Sequence, residues 1–434
     1  MKKHTLAASA AVMILSAALL LSGCGSSAAN SAESAAAGET AIIQSGESAS
    51  AGSSAADKTS AVAAAALTSS ESELFTARDL SQTADLSEAT KIEVTDGETV
   101  TISEAGVYVL SGSAENACVL VNAGDDAKVQ LVLDGLSIVS AHEPCILVES
   151  ADKVFLTSAE GSENTLTVSG QFSGDEDAAV FSRDDLVLNG LGTVTVSSTN
   201  DGLRTNDDLK LTGGTWIVNA SDTALKAHDS ISAIDGTYTL TAGSDGLHAE
   251  DNDDDTTGSI VIEGGSFTVK AGDDGVHATT SVTVNGGALS ITAAEGIEAT
   301  QVIVNAGTVS IQAADDGINA GRKSTAMSVK IEINGGEVSV VMGSGDTDGI
   351  DSNGDLIITG GTINVTAQSP FDYDGTCTHT GGTLIVNGTE TDTITNQFMG
   401  GGQMGGMMGG GQMGGMMGGG QMGGRPGGFG GKRQ

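Results

Sequence analysis

Acidic residues recur at one phase along the middle of this chain, and their spacing suggests cation chemistry. Asp201, Asp245, Asp274, Asp316 and Asp348 each stand directly before a glycine, Thr223 and Glu295 fill the same place in the intervening units, and Asp273 and Asp315 add a second acid just upstream. Three residues further on come Arg204, Lys226, His248, His277, Glu298, Asn319 and Asp351. Carboxylates stacked on neighbouring strands about 5 Å apart repel one another unless cations intervene. A donor set rich in oxygen and poor in His or Cys suits Ca²⁺. The insertion Glu250-Asp251-Asn252-Asp253-Asp254-Asp255 adds acidity beside Asp245 and Asp274. It lacks the glycine and closing glutamate of an EF-hand loop. The candidate calcium ligands are therefore Asp201, Asp245, Asp251, Asp253, Asp273, Asp274, Asp315, Asp316, Asp348 and Asp351. In any single repeat, an Asp that caps its own turn and a glycine that supplies positive φ would explain the pair. The alignment of many repeats argues for the metal. Arg204, Lys226, His248 and His277 share the neighbouring column, and the two histidines, flanked by Asp, read as polar surface contacts rather than a zinc site.

The elements that must position these residues follow from a second column. Glycine turns place Gly192, Gly214, Gly236, Gly265, Gly287, Gly307, Gly336, Gly361 and Gly382 at recurring steps, lengthened by insertions at residues 250–258 and 321–329. Two residues after most of these turns stand Trp216, Tyr238, Phe267, Leu289, Val309, Val338, Ile363 and Leu384, and two further on Val218, Leu240, Val269, Ile291, Ile311, Val340, Val365 and Val386. Strand alternation points both columns inward. After the acidic turn, Leu203, Leu225, Leu247, Val276, Ile297, Ile318 and Ile350 make a third inward column. The pattern predicts an all-β fold, a single-stranded parallel β-helix of about 21–22 residues per coil with three short strands in each. Its right hand is expected from the crossover rule. A propeller blade would need about twice that length per unit. Weaker repeats over residues 99–196 extend the solenoid. The phase of Trp216, Tyr238 and Phe267 makes them core rather than a sugar-stacking platform. Outward positions such as Thr215, Thr237, Thr239, Ser266, Thr268, Ser290, Thr308 and Ser310 form a flat hydroxyl-rich surface that suits an extended glycan, for which Arg204, Lys226, His248 and His277 are the candidate carbohydrate contacts.

The ends read differently. Residues 1–23 have the charged start, apolar run and small residues of a lipoprotein signal peptide, and Cys24 is the expected lipidation site and membrane anchor. Residues 24–75 are Ala, Ser and Gly-rich and read as a flexible tether, residues 76–396 as the β-helix, and residues 397–434 as a disordered Gly/Met-rich tail. The expected location is the outer face of a bacterial cell membrane. Cys118 and Cys145 occupy matching positions in successive apolar runs, so a disulfide is open to them in an oxidising compartment. A formal charge of −38 argues against nucleic acid as a partner.

The units Asp245-Gly246-Leu247-His248-Ala249, Asp273-Asp274-Gly275-Val276-His277-Ala278, Asp315-Asp316-Gly317-Ile318-Asn319-Ala320 and Asp348-Gly349-Ile350-Asp351-Ser352-Asn353-Gly354 resemble a bacterial family. So do Ala159-Glu160-Gly161-Ser162-Glu163-Asn164-Thr165-Leu166 and Phe371-Asp372-Tyr373-Asp374-Gly375. It is the carbohydrate-binding domain-containing family of calcium-binding β-helix lipoproteins, similar in shape to polysaccharide lyases, and the likeness covers residues 87–390. The resemblance implies calcium binding and attachment to cellulose or an acidic plant polysaccharide such as polygalacturonate, without lyase activity. A calcium-dependent lyase, which would need a base near an acidified sugar carbon, is the alternative kept open by Arg204 and Lys226 beside the acidic column. A surface adhesin or spacer is the third reading.

Overall fold

Runs of alternating apolar and hydroxyl-bearing residues can bury one edge only by stacking on copies of themselves, and stacking turns every inward position into a column. That is the architecture of the computed structural model, which describes residues 74–344 and 347–396. The signal peptide, Cys24, nearly all of the tether and the Gly/Met tail lie outside the described residues. Within them the strands pair in parallel from coil to coil, save for one antiparallel contact of Ile385 and Val386 with Glu390 and Thr389. No described helix is long and apolar enough to cross a membrane.

Three walls close each coil. The first wall contains Asp208–Leu211, Ser230–Ala233, Ser259–Ile262, Lys330–Ile333 and Asp355–Ile358. On the second wall Thr215 pairs with Thr193 on one side and Thr237 on the other, and the register continues through Ser266, Ala288, Thr308, Glu337, Thr362 and Thr383. The third wall holds Asp201–Thr205, Leu225–Ala227, Leu247–Ala249, Asp316–Ala320, Asp348–Ser352 and Ser369–Tyr373. Asp274–Val284 and Glu295–Val304 each run unbroken from the third wall into the first.

The inward columns are buried from Trp216 to Leu384. Tyr238 and Phe267 stack with ring centroids 4.8 Å apart and planes 13° apart. The Trp216 indole N–H donates to the Gly213 carbonyl at 3.1 Å, and the Tyr238 hydroxyl to that of Asp235 at 3.0 Å. These rings are therefore core. Between the first and second walls the asparagines form a ladder: Asn305 donates to Asn285 at 2.7 Å and Asn334 to Asn305 at 2.9 Å. The following glycines take positive φ, 88° at Gly307 and 81° at Gly336, and a Cβ on Gly336 would stand 2.8 Å from the Gly307 carbonyl oxygen. Only glycine turns stack this closely.

Cys118 and Cys145 are free thiols, so the bond open to them in the sequence is not formed. The Cys145 thiol lies 3.4 Å from the Thr167 carbonyl oxygen, and burial pushes both thiols up to about 12. They pack as small apolar residues. At the N-terminal end the structure departs from the expected start of the solenoid at residue 76, because residues 74–83 cross the flank of later coils and the first strand is Thr90–Glu93.

Truncating Phe267 to Ala should cost about 3–5 kcal/mol in urea unfolding, through lost burial and a residual cavity. Ser290→Ala, on the exposed face of the neighbouring coil, should change stability by less than about 0.5 kcal/mol.

Candidate functional site

The third wall carries the two polar columns side by side. In the first, Asp201, Asp245 and Asp316 reach along the solenoid rather than around their own turns. The Thr223 amide donates to Asp201 at 3.0 Å, that of Asp274 to Asp245 at 3.0 Å and that of Asp348 to Asp316 at 3.3 Å. The carboxylate of one coil thus caps the backbone of the next. The glycines that follow do not take positive φ, contrary to the simple turn reading. They are needed for closeness, since a Cβ on Gly246 would lie 2.6 Å from the Gly275 carbonyl oxygen and collide with Val269. This column is also less exposed than strand alternation suggested: Asp201, Asp245 and Asp274 are buried, and Asp316 and Asp348 half-buried.

The second column is in strict register: Arg204 beside Lys226, then His248, His277, Glu298, Asn319, Asp351 and Asp372. The wall therefore grades from cationic to anionic along its length. At the cationic end each candidate sugar contact already has an acid. Arg204 pairs with Asp177 at 2.9 Å and Lys226 with Asp201 at 3.8 Å. His248 meets Asp245 at 2.7 Å through Nδ1 and Glu250 at 3.1 Å through Nε2. His277 meets Asp274 at 2.6 Å and Glu298 at 3.1 Å, both through Nδ1. The two imidazoles stack with centroids 4.7 Å apart. Burial opposes a charge on His277, but its hydrogen bonds to the Asp274 and Glu298 carboxylates outweigh it and raise the group to about 10. Burial likewise works against the Asp245 carboxylate, yet His248 and the Asp274 amide hold it below the usual range. Two clusters here, His248 with Glu250 and His277, and Asp274 with His277 and Glu298, bring donor atoms within metal-binding reach of one another. The His277 imidazole, its charge favoured by these carboxylates, sits between Asp274 and Glu298.

The anionic end is not neutralised in this way. Burial, then the neighbouring Asp316, Asp372 and Asp348, push Asp351 up to about 7. Burial and the charges of Asp348 and Asp315 lift Asp316 to about 6 despite its bond from the Asp348 amide. Glu295 rises to about 7, chiefly by burial. Buried oxygens are left over beside them: Asn319 Oδ1 and Asp372 Oδ1 have no hydrogen-bond partner. Around the place where a Cβ on Gly321 would stand, the nearest atoms are side-chain oxygens of Asn319, Asn353 and Glu298 at 3.8–3.9 Å. All three are hard oxygen donors, although Glu298 Oε1 also holds Lys323 Nζ at 2.8 Å.

The remaining candidates are scattered. Asp251 accepts the Asp253 amide at 2.9 Å, which folds the insertion on itself, and Asp273 and Asp315 are exposed one residue outside the column. The two insertions meet where Asp255 accepts the amide and hydroxyl of Thr325 at 2.8 and 2.7 Å. The second insertion also brings Lys323 to Glu298 at 2.8 Å, a contact the sequence did not disclose because the path of an insertion has no period. Glu250 and Asp372 also join the site without having been singled out as ligands. Register alone would have found Asp372.

Residues 96–347 match the carbohydrate-binding domain-containing protein family. A carbohydrate-binding domain-containing protein of Acetivibrio thermocellus is 37% identical over 122 residues, which are 26% of this chain and 43% of that relative. The chain thus spans less than half of the relative's length. A solved structure described as the polysaccharide lyase-like protein from C. thermocellum, in a gadolinium derivative, is 29% identical with a TM-score of 0.46, over 48% of this chain and 93% of that one.

Carboxyl groups raised by folding favour the folded state below their ordinary range near 3.8 and lose that contribution as pH climbs through their raised values of about 6 to 7. In EDTA the melting temperature should therefore fall between about pH 5 and pH 8, and Asp351→Asn should raise the pH 8 value by about 2–4 °C, the shift expected for about 1 kcal/mol. A variant with an unchanged pH slope would refute the mutual repulsion.

Proposed function

The chain belongs to the carbohydrate-binding domain-containing family, and on that footing we propose that its β-helix binds an extended acidic polysaccharide, of the polygalacturonate type, through Ca²⁺ on the third wall. The observation that carries this reading is the crowding of Asp316, Asp351 and Glu295 beside the unpartnered oxygens of Asn319 and Asp372. Asp316, Asp348, Asp351 and Asp372, with the Asn319 amide oxygen, would hold the ion. Calcium held there would neutralise the cluster and bridge it to a sugar carboxylate. Such a bridge is needed, because a protein of formal charge −38 otherwise repels a polyuronate. The hydroxyl-rich outer strands, such as Thr237, Thr239, Ser266 and Thr268, offer the hydrogen bonds that an extended glycan requires.

The reading is binding without catalysis. Arg204, Lys226, His248 and His277 are each tied to a carboxylate of this chain, which leaves a sugar C–H no ready base among them. Lipid on Cys24 would anchor the protein at the outer face of the membrane.

Retention on insoluble polygalacturonate should be strong in millimolar calcium and should fall at least about tenfold in EDTA or in the double variant Asp351→Asn, Asp372→Asn, the loss expected when about 1.4 kcal/mol of binding is removed. Retention that ignores EDTA would sink the calcium mechanism. Unsaturated products absorbing in the ultraviolet would replace it with a lyase, and failure to bind any glycan, cellulose included, with an adhesin or spacer.

A further inference from the structure

The flank of the first wall carries a feature that the third wall does not explain. On the strands Lys153–Ser158, Asp185–Gly190 and Asp208–Leu211, outward positions are expected to meet solvent. Yet Phe155, Thr157, Val187 and Asn189 are all at most 1% exposed. What covers this patch is the segment of residues 74–83, before the first strand. Its Phe75 is buried, and its Arg78 lies over the Phe155 ring at 4.4 Å. Its Gln82 amide donates to the Thr212 carbonyl at 2.7 Å and accepts from the Gly190 amide at 2.9 Å, in a seat that a side chain on Gly213 would block.

Asp79 is the centre of the contact. Its side chain is wholly buried, with Lys153 Nζ at 3.6 Å and Lys210 Nζ at 4.0 Å; its Oδ2 also accepts the Thr76 amide at 2.8 Å, and Lys153 meets Asp185 as well, at 3.1 Å. The fit is not complete. Asp79 Oδ1 has no hydrogen-bond partner, and neither has the Asn189 amide nitrogen, although Asn189 Oδ1 accepts from Thr157 at 2.6 Å. A buried polar group left without a partner costs about 1–3 kcal/mol. A patch with two ammonium groups, an aromatic face and an unused amide donor has the chemistry that recognises a carboxylated sugar: charge for the carboxylate, the ring for the sugar's C–H face, the amide for a hydroxyl. The segment places its own carboxylate and its own flat guanidinium at the first two of these.

We propose that Lys153, Lys210, Phe155 and Asn189 form a second site, selective for a carboxylated sugar, and that residues 74–83 are a strap that occupies it, with Asp79 in the place of the sugar's carboxylate. The strap belongs to the same chain, so it competes at an effective concentration in the millimolar range. A segment outside the strand ladder can open locally without unfolding the body. The site is thus closed to weak ligands and opens to those that displace the strap. It needs no calcium, which separates it from the third wall.

The test uses the full-length protein in EDTA and a galacturonic acid trimer as probe, read by calorimetry and by amide hydrogen exchange of residues 74–83. Asp79→Asn should loosen the strap and tighten trimer binding about tenfold, and adding Lys210→Gln should abolish the gain. Arg78→Ala, an exposed change that leaves the solenoid core untouched, should act in the same direction as Asp79→Asn. In the wild type, saturating trimer should speed exchange at Leu80 and Ser81. Unchanged exchange and affinity in both strap variants would overturn the proposal, as would an acidic peptide that displaces the strap where the trimer does not. Asp351→Asn should leave every one of these readouts unaltered, so failure here and failure of the calcium site are seen separately.

Discussion

Parallel pairing in register is the constraint on which the rest of this protein depends. Each coil can satisfy its backbone only by matching the coil before it, residue for residue, and so each position becomes a column. For apolar residues this is favourable, and the Trp216 to Leu384 column is the result. Polar residues meet the same constraint as a problem, because like groups are brought within about 5 Å of one another. Asparagines solve it by donating to each other along the stack. Carboxylates cannot.

The acidic column of the third wall shows two solutions to that difficulty and one place where neither suffices. Backbone amides of the following coil cap Asp201, Asp245 and Asp316. Histidines at the neighbouring position then neutralise Asp245 and Asp274. Beyond Glu298 the partner column itself turns acidic or neutral, and the compensation stops. The candidate cation site lies where the pattern runs out of internal counter-charge.

Much of this was legible in the sequence because a solenoid writes its structure as a period. The inward columns, the three strands per coil and the common column of Arg204, Lys226, His248 and His277 follow from spacing alone. Less legible was anything set by three-dimensional closeness without a period. The glycine after each acid looked like a turn residue, yet it serves the approach of one backbone to the next. The acids looked like one continuous calcium edge, but bonds from His248 and His277 divide it. Lys323 and the Asp255–Thr325 contact depend on insertions, and Asp79 meets Lys153 and Lys210 across distances along the chain that no local pattern encodes.

The strap also decides how the body bears load. A pull arriving along the chain at residue 74 does not reach the first strand, Thr90–Glu93, directly. It meets Gln82 and Asp79, whose bonds to Thr212 and Gly190 grip coils well inside the solenoid. A tug on the end strand would peel the ladder open one bond at a time. The strap instead stands in the path of that force ahead of the first coil and shares it with several coils at once.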